Sequence, residues 1–240
     1  MSAGIAHELQ NPLAFMQKFA DVSMGLIEQD GQDHQPGLEQ TMMDGLRQNL
    51  RQISQQGQRA SAIIADMLAH ARTSPTQPQP QPTDLNALVA EYLLLADHGP
   101  RTPNGPAAVE LHTSFGFDVG LVPAVPPEIG RALLNRFTNA LHAVRQRQQA
   151  SPAGYQPTLN MSTRRLADAV EITVRDNGTG MAEAMHARIF QPFFTTKPAT
   201  EGTGLGLALA HDTIVKGHHG TLSVQTREGE FTEFRVRLPT

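Results

Sequence analysis

Between residues 38 and 71 the apolar positions fall into two seven-residue registers: Leu46, Ile53, Ala60 and Met67 form one, and Leu50, Gly57, Ile64 and Ala71 the other. Two interleaved registers of this period mark a helix that packs against other helices. Upstream, Ile5, Leu9, Leu13, Met16, Ala20, Ser23 and Ile27 trace a second, less regular stripe. Breakers from Asp30-Gly31 to Pro36-Gly37 separate the two. The pattern predicts an antiparallel helical hairpin. A lone hairpin leaves one side of each helix uncovered, so two hairpins joined into a four-helix bundle, a homodimer, are expected.

The run Pro75 to Pro82 cannot continue a helix or supply a central strand, and it predicts a stiff linker over 75–83. This divides the chain into 1–74 and 84–240. In the second part Asp84 caps a helix to about Ala96, and residues 109–115 alternate as a strand. Pro127 opens a long helix to about Gln148. Strands follow at 158–165 and 169–175, then a short helix at 182–189 and a loop from Phe190 to Thr203. A helix over 204–216 precedes strands at 221–226 and 231–238. The expected class is α+β: the helical hairpin, then an α/β sandwich in which a mixed sheet carries helices on one face.

The 240 residues, 39% of them hydrophobic, suffice for a sizeable core. A net charge of −4 without a dense basic block disfavours nucleic acid and anionic membrane as partners. Without cysteine there is neither a disulfide framework nor a thiolate metal site, which suits the cytoplasm. No apolar run is long enough to span a bilayer, so no membrane contact is expected from this segment. The chain begins only a few residues before His7, in what reads as mid-helix. Upstream sequence is therefore expected, which could contain a sensor or a membrane segment.

His7 points away from the apolar stripe, with Glu8 beside it and Asn11 one turn on along the same face. A carboxylate accepting one ring N–H makes the other imidazole nitrogen more nucleophilic; the alternative is an ordinary exposed histidine on a charged face. Pro12 would bend the helix just past it. Asn135 and Asn139 share a helix face with His142, and amide oxygens can complete a Mg²⁺ shell filled mainly by phosphates and water; the alternative is two surface asparagines on a polar helix face. Asp176 ends an alternating strand and opens a turn with Gly178 and Gly180. Its carboxylate could accept the exocyclic amine of adenine, or the segment could be a plain Asp-Asn-Gly turn. The stretch Gly202, Thr203, Gly204, Leu205, Gly206 enters a helix in the manner of a phosphate cradle. The loop before it, with Phe193, Phe194, Thr195, Thr196 and Lys197, fits a mobile cover bearing a lysine for phosphate. A dinucleotide fold is excluded by the late position of these glycines and the lack of a βαβ repeat.

His7-Glu8-Leu9-Gln10-Asn11-Pro12-Leu13 resembles the H-box of bacterial sensor histidine kinases, and Asn135-Arg136-Phe137-Thr138-Asn139-Ala140 resembles their N-box. The turn 176–180 resembles the first glycine box, Phe190 to Phe194 the F-box, and Gly202 to Gly206 the second glycine box. The resemblance spans nearly the whole chain. It implies a dimerisation and histidine-phosphotransfer hairpin joined to an ATP-binding domain of the gyrase, Hsp90 and MutL type. It further implies His7 as phosphoacceptor, Glu8 as its acid/base partner and Asn11 as a helper. Asn139 would hold Mg²⁺, with Asn135 near the phosphates and His142 either at phosphate or on exposed surface. Asp176 would read adenine, and the second glycine box would cradle the triphosphate of ATP. The implied partner is a response-regulator receiver domain. Related ATPases carry a glutamate where Asn135 stands, so transfer is favoured over hydrolysis. A non-catalytic nucleotide-binding scaffold and an ATPase of the same fold are the alternatives. Arg136 replaces a usual leucine and is expected to snorkel; Thr179, His219 and Phe231 also depart from the pattern. The remaining histidines, among them His98, His112, His186, His218 and His219, are expected on surface or loops.

Overall fold

The computed structural model describes residues 12–24, 38–71, 79–97, 108–150, 154–197 and 202–240. By contact density the chain divides into two compact units, Met1–Thr73 with Thr195–Gly204, and Ser74–Phe194 with Leu205–Thr240.

The first unit contains α1 (12–24) and α2 (Leu38–Ala71). α1 buries Pro12 and Ser23 and half-buries Met16, Phe19 and Ala20, positions spaced for one helix face. The Ser23 hydroxyl donates back to the Phe19 carbonyl at 2.8 Å, so this polar residue is tolerated inside the stripe. Met16 faces Gly57 of α2, where a Cβ would sit 3.5 Å from its sulfur. In α2 the register Leu46, Ile53, Ala60 is covered, whereas Leu50 and Ile64 of the other register stand 61% and 44% exposed. Leu13, expected in the α1 stripe, is also exposed, together with Phe15, Val22 and Met24.

The second unit is a sheet with helices on one face. Its elements are β1 (Gln81–Asp84), α3 (Leu85–Asp97), β2 (Glu110–Phe115), β3 (Leu121–Ala124), α4 (Pro126–Ala150), β4 (Thr158–Arg165), β5 (Ala169–Asp176), α5 (Gly206–Asp212), β6 (Thr221–Arg227) and β7 (Phe231–Pro239). The five-stranded sheet runs β2-β4-β5-β7-β6, parallel between β2 and β4 and antiparallel elsewhere. A separate two-stranded ribbon pairs β1 with β3. Gln81 and Pro82, read as linker, thus belong to a strand; two strands alone make only edges, where proline is accepted.

Asp84 caps α3 as expected, its Oδ1 accepting the Ala87 N–H at 3.1 Å. α4 starts at paired prolines in its first turn, where no N–H is needed, with the Val125 carbonyl accepting from Glu128 and Ile129. It buries Ile129, Leu133, Phe137 and Leu141, spaced by four, against Met161, Ile172, Val174 and Phe234 of the sheet. Two predicted helices are shorter than their sequence patterns suggest. Of 182–189 only Glu183–Met185 is a single 3₁₀ turn, and α5 ends at Asp212, giving way to a π-turn over Thr213–Gly217. The outer sheet face is a grid of ions. Glu171 is bonded by Arg164 and Arg237 at 2.7 Å each, and Glu233 by Arg175 at 3.1 Å and by Arg235.

Candidate nucleotide site

Asp176 is the last residue of β5 and is only 3% exposed. Its Oδ1 accepts the Gly178 N–H at 2.9 Å. Burial raises its pKa from the usual carboxylate range to about 7, while the N–H groups of Gly178 and Thr232 and the Arg175 charge pull it down by less. The turn beyond it is clamped on several sides. Thr179 O accepts from Gly229 N–H at 2.7 Å, and Met181 N–H donates to Thr226 Oγ1 at 3.0 Å, fastening the turn to the β6–β7 hairpin. The first glycine stretch therefore has structural reasons for its glycines. A Cβ on Gly178 would lie 2.7 Å from the Ala143 backbone of α4, and Gly180, at φ 62°, has the Arg227 carbonyl where a Cβ would be.

Asn135, Asn139 and His142 lie half-buried along α4. Asn135 meets the start of α5: a Cβ on Gly206 would sit 2.9 Å from its Oδ1. Leu205, the residue that caps α5, offers no side-chain oxygen to the first turn. Among the described residues no group of three His, Asp or Glu side chains converges as a cation cage. A divalent ion here would depend on ligand phosphates plus a neutral amide oxygen, a donor set that suits Mg²⁺.

The segment from Phe190 packs on its own surroundings. The Phe190 ring lies 5.0 Å from that of His211 on α5, and the Arg188 guanidinium sits 4.5 Å from the Phe194 centroid. Phe193 adopts φ 66°, a left-handed conformation that is strained for a bulky residue. Thr195 Oγ1 accepts the Lys197 N–H at 3.1 Å, and both residues border Gly202, where a Cβ would come within 3.0 Å of each. Thr196 is exposed, and Thr203 and Gly204 are half-buried, with Gly204 at φ 71°. Residues 195–204 fall in the first compact unit and Asp176, Asn135, Asn139 and Gly206 in the second. His7, Glu8 and Asn11 lie outside the described residues.

Residues 1–75 match the His kinase A (phospho-acceptor) domain, and residues 124–240 match the histidine kinase-, DNA gyrase B- and HSP90-like ATPase family. The chain belongs to the sensor histidine kinases. It is 29% identical over 239 residues to the sensor histidine kinase ZraS of Escherichia coli (strain K12), covering 100% of this chain and 45% of that one. The chain thus spans less than half of that relative. The catalytic domain of histidine kinase ThkA superposes with TM-score 0.54 at 27% identity, over 67% of this chain and 95% of that chain. ThkA in complex with the response regulator TrrA shares the fold over 100% of this chain and 60% of its own, with TM-score 0.62 at 22% identity.

One sequence expectation for this kinase core is overturned. Arg136 does not snorkel: it is 1% exposed, its three guanidinium nitrogens have no hydrogen-bond partner, and burial lowers its pKa to about 9. It lies on the α4 face that carries Leu133, Phe137 and Ala140, too deep for its stem to reach water. His218 lies in a bend after the π-turn, within the expectation of surface or loop. It is buried, with Nε2 accepting the Val125 N–H at 3.0 Å and Nδ1 donating to the Thr213 carbonyl at 2.9 Å. Its neighbour His219 is exposed, at φ 54°.

Sequence reading also missed Arg147 and Tyr155. Arg147 Nη1 donates to the carbonyls of Asn177 (2.7 Å), Gly178 (3.2 Å) and Glu230 (3.0 Å), and its guanidinium stacks 4.8 Å from the Tyr155 centroid. The Tyr155 hydroxyl meets Asn177 O at 2.9 Å and its Oδ1 at 2.8 Å. Burial pushes the Tyr155 phenol up, with the Arg147 charge opposing it and the Asp176 charge adding to it. The only linear hint was a basic residue in the last turn of a long helix, ordinarily explained by the helix dipole.

Proposed function

We propose that this chain is the autophosphorylating core of a two-component sensor kinase. Residues 84–240 bind ATP and residues 1–74 carry the phosphoacceptor, with 75–83 between them. Asp176 accepts the adenine amine, Gly202 to Gly206 and Lys197 hold phosphate, and His7 attacks the γ-phosphorus. The bond from that phosphorus to the β,γ-bridging oxygen breaks, an N–P bond forms, ADP leaves, and Glu8 takes the imidazole proton. Asn139, with Asn135 beside it, would hold Mg²⁺, which neutralises phosphate charge when bound. The phosphoryl group then passes to an aspartate of a response-regulator receiver domain, as the complex formed by ThkA suggests.

Asn135 is the observation that favours transfer over hydrolysis. It lies at the entry to α5, where a water-activating base would be needed, and an amide has no basic lone pair to supply. The exposed register of Leu50 and Ile64 supports homodimerisation. No helix among the described residues is long and apolar enough to cross a membrane; we place this segment in the cytoplasm.

Incubation with radiolabelled ATP tests the reading. Acid-labile, base-stable label that disappears in His7→Ala is expected. Phosphate release unchanged in His7→Ala would indicate an ATPase instead, and nucleotide binding without either product a scaffold.

A further inference from the structure

We propose that Arg147 is a positioning residue that sets the base selectivity of the nucleotide site through the single peptide group joining Asn177 to Gly178. The inference rests on Asp176 reading adenine.

That peptide has two ends, and the structure ties both. Its carbonyl, Asn177 O, accepts from Arg147 Nη1 at 2.7 Å and lies 2.9 Å from the Tyr155 hydroxyl. Its N–H, on Gly178, points the other way and donates to Asp176 Oδ1 at 2.9 Å. The guanidinium on one side and the carboxylate on the other therefore hold one peptide plane between them. Charge at both ends polarises the same C=O and N–H in the same sense, which strengthens both bonds.

Arg147 Nη1 also reaches Gly178 O and Glu230 O, so its two hydrogens are shared among three carbonyls from the glycine turn and the β6–β7 hairpin. A neutral side chain could not gather three carbonyl oxygens at one point; a cation can. The Asn177 side chain is committed elsewhere. Its Oδ1 accepts the Thr158 N–H at 2.8 Å and its Nδ2 donates to Gln156 O at 2.7 Å. Asn177 therefore serves the turn rather than a ligand, and the orientation of its peptide is the variable that matters to Asp176.

The adjoining glycine makes this orientation vulnerable. A peptide next to glycine can rotate at little steric cost. Rotated, it would present its carbonyl to Asp176 instead of its N–H, and two oxygens would face each other in a buried place. The carboxylate would take up a proton to relieve the contact, and burial already brings it close to doing so at neutral pH. A protonated Asp176 donates where it had accepted. It no longer suits the amine of adenine and becomes tolerant of the carbonyl that guanine carries at the corresponding position. Arg147 prevents this by holding the far end of the peptide.

Calorimetric titration with non-hydrolysable ATP and GTP analogues, with Mg²⁺ supplied, tests the inference. The wild-type protein prefers the ATP analogue. Arg147→Met, which keeps the stem, lowers the ratio of the two affinities about tenfold, Arg147→Lys recovers part of it, and Tyr155→Phe lowers it by a smaller factor. Tyr155→Phe removes one hydroxyl and provides the reading if Arg147→Met does not fold. Equal loss of both affinities, with the ratio unchanged in the variants, overturns the role of Arg147 and leaves the Asp176 reading intact. A wild-type protein indifferent to the base overturns both.

Discussion

The guanidinium of Arg136 lies 4.8 Å from the centroid of the Phe234 ring and has no hydrogen-bond partner in the core between α4 and the sheet. The contact with the ring face offsets part of the cost of burial, by about 2 kcal/mol at most, whereas an unpaired buried charge costs several. Arg136→Met keeps the length of the side chain and removes the charge. It is expected to stabilise the protein by about 1–4 kcal/mol, raising the melting temperature by several degrees. ATP-analogue affinity should change little, because the Arg136 side chain is buried in the core whereas Asn135 and Asn139 are half-buried. A lower melting temperature in this variant would show that the ring contact outweighs desolvation.

With Asp176 as the proposed adenine acceptor, both stability and nucleotide binding are expected to depend on pH, with opposite signs. Its native pKa, about 7, exceeds the ordinary value of 3.8, so the folded state binds this proton more tightly than the unfolded chain. Its stabilising contribution is full below about pH 4 and is lost as pH rises through about 7. Binding needs the ionised acceptor, so affinity for an ATP analogue should weaken as pH falls, approaching about tenfold per unit below pH 7. Calorimetry between about pH 8 and pH 6 reads this slope. Asp176→Asn should remove it. A slope that survives in Asp176→Asn assigns the effect to another group.

His218 joins chain segments far apart in sequence, fastening the start of α4 to the end of the π-turn. Phenylalanine fills a similar space but leaves the Val125 N–H and the Thr213 carbonyl without their partner. His218→Phe should cost about 2–4 kcal/mol in denaturant unfolding. A loss below about 0.5 kcal/mol would mean that other groups satisfy both.

In α2 the exposed Leu50 and Ile64 share one register, which sets a test of assembly. The double variant Leu50→Asp with Ile64→Asp should shift sedimentation from dimer to monomer while circular dichroism keeps its helical signal. A variant that still sediments as a dimer places the interface elsewhere.

Much of the architecture was legible because it rests on local periodicity. β4, β5, β6 and β7 each place apolar residues at alternate positions over part of their length, as at Val170, Ile172 and Val174, and the cap at Asp84 and Pro127 announce α3 and α4. The turn at Asp176 was legible from glycines that prove to be packed against protein backbone, so their signal reported the fold as well as any ligand. What escaped depends on contacts distant in sequence. β1 and β3 are four-residue strands that carry proline and become strands only by pairing with each other. Arg147 gains its meaning 30 residues later at Asn177, and His218 93 residues earlier at Val125. Arg136 follows helical spacing into the core, and only the depth of the surrounding packing shows that its stem cannot escape.

β6 touches the sheet only through β7, which comes later in the chain yet lies between β6 and β5. During synthesis, a chain made as far as residue 230 therefore holds a bare edge on β5 and a strand with nothing to pair with. Such an edge is sticky toward other nascent chains. The same interval leaves α5 followed by an unpaired strand, so the sheet is complete only after the β6–β7 hairpin has closed. A cut within 231–239 would deprive β5 of its partner strand and Asp176 of the Thr232 N–H that faces it.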